Sequence, residues 1–242
     1  MRVELFVPCF IDQIYPQTAF NTLKLLQRAG CEVVYNPNQT CCGQPAYNAG
    51  FWDEAKKIGL KFLNDFSEDC YIVSPSASCT GMIKNGYDDL FTNSIEHNRC
   101  RNIQGNIYEL TDFLVNVVKK DYFGAELIGT AVYHDSCSGL RECHIKEEPR
   151  QLLGQVGGLE LLSMRDQEAC CGFGGTFAVK FEGISAAMAE QKIQNALAVN
   201  ADYIISTDSS CLLQLQGYID KHKLPIKTLH IADVLTSGWA NI

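Results

Sequence analysis

Residues 71–79, Tyr-Ile-Val-Ser-Pro-Ser-Ala-Ser-Cys, return 132 positions later as residues 203–211, Tyr-Ile-Ile-Ser-Thr-Asp-Ser-Ser-Cys. Each stretch combines four residues typical of a β-strand with a short polar turn and a cysteine. Because a strand and its thiol recur together, the sequence indicates duplication of one unit of about 120 residues.

The cysteines repeat in the same register. Four cysteines of the first half have counterparts in the second half at offsets of 128 to 132 residues. The two quartets are Cys9, Cys41, Cys42 and Cys79 in the first half, and Cys137, Cys170, Cys171 and Cys211 in the second. Thiolates in groups of four bind a soft metal ion or an iron–sulfur cluster. These eight residues are therefore the candidate ligands of one centre in each half.

Strand-like apolar runs alternate with amphipathic runs along both halves. The predicted strands are residues 3–8, 32–35, 71–74, 106–110, 130–134, 160–163, 203–206 and 226–230, and the main predicted helices are residues 18–28, 52–66, 149–155 and 184–199. This alternation is typical of parallel sheets covered on both faces. We expect an α/β fold of two duplicated Rossmann-like parallel-sheet units, residues 1–122 and 123–242, related by pseudo-twofold symmetry.

Each repeated cysteine follows a predicted strand. Cys9, the Cys41-Cys42 doublet and Cys79 come after the first, second and third strands, and the second quartet has the same arrangement. The carboxyl ends of parallel strands meet at one edge of a sheet, and ligands bind in the crevice there. We therefore expect the thiols of each quartet to converge.

Composition restricts the functional class. The 242-residue chain has a net charge of −8 and no basic stripe, which argues against nucleic acid as a partner. No export signal and no run of about 18 apolar residues is evident, so we expect a cytoplasmic protein with reduced thiols that does not span a membrane. Peripheral membrane association stays open.

The motif Cys-x31-Cys-Cys-Gly-x35-Cys, with its partner Cys-x32-Cys-Cys-Gly-x38-Cys, resembles the cysteine-rich CCG domain. That family includes the cysteine-rich subunit of heterodisulfide reductase and the iron–sulfur subunit of glycolate oxidase. The resemblance implies an oxidoreductase subunit with a [4Fe–4S]-type cluster in each half. The family's fullest motif ends in Cys-x-x-Cys, but Ser76 and Asp208 stand where the first of those cysteines would be.

A chain with two CCG copies and no ferredoxin motif is most similar to the lactate-utilisation members of this family. That similarity implies an electron-transfer role in oxidising lactate to pyruvate, with companion subunits that include a ferredoxin-like iron–sulfur protein. Two alternatives stay open, a heterodisulfide- or quinone-linked reductase subunit and a zinc-stabilised scaffold without redox activity. No catalytic residue is assigned apart from the candidate ligands.

Four further positions bear on the two centres. Asp208 is a candidate oxygen ligand, and Cys143 lies close enough in sequence to Cys137 to approach the second centre. His134 is interpreted as a hydrogen-bonded core histidine, with an outer hydrogen bond to a cluster sulfur as the alternative. Cysteines outside the repeat are interpreted as core or surface thiols; they are Cys31, Cys70, Cys100 and Cys143.

Overall fold

Two four-stranded parallel sheets form the framework of this computed structural model, which describes residues 1–239. The strands are β1 (Arg2–Leu5), β2 (Glu32–Tyr35), β3 (Tyr71–Ser74), β4 (Ile107–Glu109), β5 (Glu126–Tyr133), β6 (Gly157–Leu162), β7 (Tyr203–Ser206) and β8 (Lys227–His230). Their spatial order is β2-β1-β3-β4 in the first sheet and β6-β5-β7-β8 in the second, and every pairing is parallel. The predicted pair of duplicated parallel-sheet units is confirmed.

Helices follow most of the strands in both halves. They are α1 (Cys9–Ile14), α2 (Pro16–Arg28), α3 (Gln44–Asn48), α4 (Trp52–Asp65), α5 (Ala77–Gly81), α6 (Tyr87–Phe91), α7 (His97–Asn106), α8 (Leu110–Asp112), α9 (Glu147–Leu153), α10 (Thr176–Lys180), α11 (Glu182–Leu197), α12 (Ser209–His222) and α13 (Ile231–Val234). Single π-helical turns occur at Met82–Gly86, Phe113–Val117 and Ser138–Glu142. The four main predicted helices correspond to α2, α4, α9 and α11.

Local sequence explains the bounds of α2. Pro16 occupies the first turn, where its missing N–H is not needed. Gly30, just past the end at Arg28, has a φ of +87°, which glycine adopts without steric strain. The predicted helix 18–28 therefore ends where expected and begins two residues earlier.

Three apolar clusters form the interior. The central cluster includes residues from both halves, such as Val3 and Leu5 from β1 and Ala131 and Tyr133 from β5. Each of the other two clusters belongs to one half and covers the opposite face of its sheet. The two halves thus share one continuous core, while the division at residues 122 and 123 stays a proposal. Residues 240–242 of the proposed second unit lie outside the described residues.

Reciprocal hydrogen bonds join the halves around the pseudo-twofold axis. The carboxylate of Glu109, at the end of β4, accepts a hydrogen bond from Thr207 in the second half. The Nε2 atom of His230, at the end of β8, lies 2.9 Å from the carbonyl oxygen of Pro75 in the first half. Glu109 and His230 are equivalent positions of the repeat, as are Pro75 and Thr207. The same cross-connection therefore occurs twice, once in each direction.

Burial of Glu109 at this interface predicts a pH-dependent stability. Burial raises the pKa of Glu109 to about 7. Below the ordinary carboxyl pKa of 4.5 the group is protonated in both the folded and the unfolded chain, so its stabilising contribution is complete. As pH rises from 4.5 towards 7, the unfolded chain releases this proton while the folded chain keeps it, so the free energy of unfolding falls. Once the pH has passed 7, the loss approaches about 3 kcal/mol.

Glu109→Gln is expected to remove this dependence. The free energy of unfolding in urea, measured at about pH 5 and about pH 8, should differ less in the variant than in the parent protein, by up to about 3 kcal/mol. Glu182→Gln, at an exposed carboxylate, is the matched control and should keep the parental difference. Equal differences in all three proteins would contradict the assignment to Glu109.

Candidate metal centre

Strand order places the candidate ligands of each half together. In the first sheet β1 lies between β2 and β3, and these are the three strands that precede the thiols. Cys9 begins α1 after β1, the Cys41-Cys42 doublet follows β2, and Cys79 lies in α5 after β3. The second sheet repeats this arrangement around β5. The expected convergence at one sheet edge is therefore present in both halves.

The first quartet forms a continuous group of thiols. Cys9 Sγ lies 3.8 Å from Cys41 Sγ. The neighbouring thiols of Cys41 and Cys79, together with burial, raise the pKa of Cys42. The backbone N–H of Gly43 donates to Cys41 Sγ over 3.4 Å. The four candidate ligands of the first half thus lie beside one another, with Cys41 next to Cys9 and Cys42 influenced by both Cys41 and Cys79.

Hydrogen bonding concentrates negative charge on one sulfur of this quartet. Thiols of Cys42 and Cys9 donate to Cys41 and lower its pKa to about 3. Donation to Cys41, together with burial, raises the pKa values of Cys9 and Cys42. Because thiolates and not thiols bind metals, occupation of the site has to release the protons of the donor thiols.

The second quartet repeats these contacts in a more open setting. Cys171 and Cys211 are buried, with 2% and 7% of their surface exposed, whereas Cys137 and Cys170 are exposed. Hydrogen bonds from Cys137 and Cys171 lower the pKa of Cys170 to about 2. The N–H of Gly172 donates to Cys170 Sγ over 3.4 Å, as Gly43 does in the first half. This quartet therefore has two thiols at the surface and two in the interior.

The glycine after each doublet has a steric reason. Gly43 and Gly172 have φ values of +86° and +91°, in the left-handed region that favours glycine. A Cβ on Gly172 would lie 2.5 Å from the carbonyl oxygen of Ser185 in α11, and one on Gly43 would lie 3.3 Å from that of Ala55 in α4. The bare backbone lets the two doublets pack directly on α4 and α11.

His134 lies beside the buried thiols of the second quartet. It is fully buried, and among residues 1–239 neither ring nitrogen has a hydrogen bond of ordinary geometry, although the backbone of Gln167 lies near enough to raise its pKa slightly. One ring nitrogen and the Sγ atoms of Cys171 and Cys211 all lie within 4.8 Å of one another. Burial, with a smaller influence from Lys192, lowers the pKa of His134 to about 3. The imidazole therefore faces the buried thiols, which fits the alternative of an outer hydrogen bond to sulfur better than a hydrogen-bonded core histidine.

Asp208 and Cys143 form hydrogen bonds with residues of the other half. The carboxylate of Asp208 accepts hydrogen bonds from Ser78 N at 3.1 Å, Ser78 Oγ at 2.6 Å and Ser76 Oγ at 3.4 Å. The thiol of Cys143 donates to Ala77 O at 3.4 Å. Both side chains connect the second half to α5, so neither is placed as a ligand of the second quartet.

The remaining cysteines outside the repeat are structural. Cys31 is buried in the central apolar cluster and Cys100 in the outer cluster of the first half. Cys70 is half-buried and its thiol donates to the carbonyl oxygen of Arg2 over 3.4 Å. None of these three side chains takes part in the quartet contacts described above.

A known protein family matches the chain twice, once at each copy of the cysteine motif. The profile described as "Cysteine-rich domain", CCG, matches residues 3–84 and 131–216. The chain belongs to the CCG family.

Similarity to individual CCG proteins extends over nearly the full length. The chain is 43% identical over 238 residues to Lactate utilization protein A of Geobacillus sp. (strain WCH70), covering 98% of this chain and 100% of that protein. It is 39% identical over 239 residues to Lactate utilization protein A 2 of Bacillus cereus (strain AH820), covering 98% and 99%.

A solved structure supports the fold. The crystal structure of a hypothetical protein from Helicobacter pylori superposes with a TM-score of 0.57 at 12% identity. The match covers 99% of this chain and 49% of that chain. At this identity the likeness concerns the fold alone. Within residues 1–239, no helix has the length and apolar character needed to cross a membrane.

Proposed function

We propose that this chain is an iron–sulfur electron-transfer subunit of a cytoplasmic lactate-oxidising system. Each quartet would hold one [4Fe–4S]-type cluster, through Cys9, Cys41, Cys42 and Cys79 in one half and Cys137, Cys170, Cys171 and Cys211 in the other. Oxidation of lactate to pyruvate would require companion subunits, among them a ferredoxin-like iron–sulfur protein. The observation that carries the proposal is the convergence of two registered thiol quartets in a chain that matches lactate-utilisation proteins over nearly its full length.

The donor chemistry of the quartets fits such a group. Thiolates are the ligands of iron–sulfur clusters, and four suffice for one cluster. All twelve cysteines are free thiols, which suits a reducing compartment. A cluster bound here would supply one-electron transfer, so that the two electrons of a hydroxy-acid oxidation pass singly.

Residues of the chain itself would orient and insulate the group. The N–H groups of Gly43 and Gly172 point at sulfur and favour negative charge there. Cys42 and Cys171 exclude water from the inner side of each site. Exposure of Cys137 and Cys170 leaves the outer side of the second site open to a partner subunit.

A zinc-stabilised scaffold is the second candidate, and one distance favours it. The 3.8 Å between Cys9 Sγ and Cys41 Sγ equals the edge of a tetrahedron with metal–sulfur bonds of about 2.3 Å. Two sulfurs at that spacing can bind one metal ion. A cluster that bound these two sulfurs through different iron atoms would need a wider spacing between them.

The reductase alternative has less structural support. In heterodisulfide reductase-like proteins the fullest motif supplies a fifth thiol to each site. Here Ser76 and Asp208 occupy those positions, and they hydrogen-bond to each other across the two halves. Neither position therefore supplies a fifth thiol to its quartet.

Anaerobic purification followed by metal analysis and visible spectroscopy tests the proposal. The expected product is a brown protein with about four irons and four sulfides per quartet. A colourless protein that contains about one zinc per quartet would overturn the electron-transfer assignment in favour of the scaffold. Iron supplied during expression, with zinc withheld in a parallel culture, controls for displacement of one metal by the other.

A further inference from the structure

The two quartets differ in the side chains packed behind their buried thiols. Phe6 and His134 each lie three residues before the first cysteine of their half. Phe62 in α4 and Lys192 in α11 are likewise equivalent, 130 residues apart. A pair of aromatic rings in the first half is therefore replaced by an imidazole and an amine in the second.

The helix register confirms the second equivalence. A Cβ on the glycine of each CCG motif would contact α4 or α11 at two positions that share the 130-residue offset. These positions are Ala55 and Ile58 in α4, and Ser185 and Met188 in α11. Extending the same register one turn further places Phe62 opposite Lys192.

In the first half this position is apolar throughout. The rings of Phe6 and Phe62 meet edge to face, with centroids 5.0 Å apart. Both belong to the outer apolar cluster, which also includes Cys42 and Cys79. The inner wall of the first site therefore offers no hydrogen-bond donor from these two side chains.

In the second half the same wall is polar and buried. His134 is fully buried and Lys192 is 1% exposed. Lys192 Nζ donates to the carbonyl oxygens of Asp166 at 2.7 Å and Gln167 at 2.9 Å, on the loop that leads to Cys170. Burial lowers the pKa of Lys192 to about 8, while the proximity of Cys171 acts in the opposite direction. The amine is thus held close to the buried sulfurs.

An imidazole with no partner in an apolar interior is costly, at roughly 1–3 kcal/mol for each unsatisfied polar group. The sulfur atoms of Cys171 and Cys211 are the groups that its ring nitrogen faces. We propose that His134, backed by Lys192, donates a hydrogen bond to the sulfur of the second centre and thereby makes the two centres unequal, the second having the higher reduction potential.

Electrostatics explains why the second centre should have the higher reduction potential. This inference rests on the proposed function. A reduced cluster carries one more negative charge, which an N–H donor and a nearby cation stabilise. Greater solvent exposure of the second quartet acts in the same direction. The neighbouring Asp135 does not oppose it, because Arg150 binds both of its carboxylate oxygens, at 2.9 and 2.7 Å.

Proteins with a single loaded centre allow a direct comparison. Cys9→Ser with Cys42→Ser leaves only the second quartet, and Cys137→Ser with Cys171→Ser leaves only the first. Potentiometric titration monitored by electron paramagnetic resonance should show the second centre reduced at the higher potential. At one fixed potential, we expect the ratio of reduced to oxidised form to be at least about tenfold greater for the second centre than for the first. A tenfold ratio corresponds to a difference in reduction potential of about 59 mV for one electron.

Substitution of His134 then tests its part in that difference. His134→Phe, which installs the residue of the first site, should lower the second-centre ratio by about tenfold and leave the first centre unchanged. His134→Gln keeps an N–H donor and should restore part of the loss. An unchanged potential in His134→Phe protein that retains its iron would overturn the inference.

A measurement that keeps His134 in place covers the case in which the His134 variants do not fold. Protein grown with ¹⁵N-histidine should show a weak nitrogen coupling in the pulsed resonance spectrum of the second-centre protein and none in the first-centre protein. His230 is the internal control, since its ring is already bonded to backbone atoms of Pro75 and Ala232. Absence of coupling, or a coupling as large as that of a metal-bound imidazole, would overturn the hydrogen bond. Failure of both single-centre proteins to bind iron would instead refute the proposed function.

Discussion

Cys42→Ser is expected to remove the iron of the first centre, about half of the total, and to leave the second centre loaded. Cys42 is central to the first quartet, because the thiols of Cys41 and Cys79 both act on the pKa of its buried thiol. A serine hydroxyl does not ionise near neutral pH and is a hard oxygen donor, so it replaces a thiolate poorly at a soft metal. Iron and sulfide per chain, with the visible absorbance, give the measurement.

Independence of the two centres follows from where they lie. Cys42 and Cys79 belong to the outer cluster of the first half, and Cys171 and Cys211 to that of the second. The central cluster between the sheets contains none of these four thiols. Loss of one group should therefore leave the other in place, and Cys171→Ser should give the reciprocal result. Equal loss of iron from both halves in either variant would show that one shared centre is present.

Cys100→Ser is the matched control for Cys42→Ser. Cys100 is 2% exposed and belongs to the same outer cluster of the first half, but it is outside the quartet. The substitution introduces the same buried hydroxyl and a similar packing loss. Full iron content in the Cys100→Ser protein, beside a half-loaded Cys42→Ser protein, would separate ligand loss from general destabilisation.

The sequence predicted the positions of the thiols well because strand order controls them. Each doublet and each of its partners follows a strand by a few residues, and three adjacent parallel strands bring such positions to one edge. The repeat supplied a second, independent copy of the same arrangement. No side-chain detail was required for this part of the site.

Contacts between the halves could not be predicted in the same way. Asp208 was a candidate ligand because the family motif has a cysteine there, but its carboxylate accepts hydrogen bonds from Ser76 and Ser78 of the first half. That outcome depends on how two sheets pack on a shared core, which local pattern does not specify. Cys143, interpreted as a core or surface thiol able to approach the second centre, likewise donates to a residue of the other half, Ala77.

The unpaired state of His134 was also beyond sequence reasoning, although a signal was present. Composition alone makes a buried histidine a hydrogen-bonded core residue in most cases. Superposing the two halves of the sequence would have shown Phe6 at the equivalent position. A polar residue that replaces an aromatic core residue in one copy only is a sign that the two sites have diverged.

Gly172→Ala is expected to destabilise the protein by about 3 kcal/mol or more and to reduce iron in the second half. A φ of +91° costs a residue with a side chain roughly 1–3 kcal/mol. The added methyl would also lie 2.5 Å from the carbonyl oxygen of Ser185, which belongs to the backbone of α11 and cannot rotate away. The doublet would have to move off the helix, and Cys170 would lose the N–H that Gly172 donates to it.

The equivalent glycine of the first half provides a graded comparison. In Gly43→Ala the methyl would lie 3.3 Å from Ala55 O, so a small displacement relieves the contact and the backbone strain remains as the main cost. We expect about 1–2 kcal/mol of destabilisation for this variant.

Gly183→Ala, within α11 and with no heavy atom inside 4 Å of the new methyl, should be neutral or stabilising by up to about 1 kcal/mol. Urea unfolding of the three variants should therefore give the order Gly172→Ala, Gly43→Ala, Gly183→Ala from the least to the most stable. An equally large loss in Gly183→Ala would mean that the end of α11, and not the turn after the cysteine doublet, is the sensitive element.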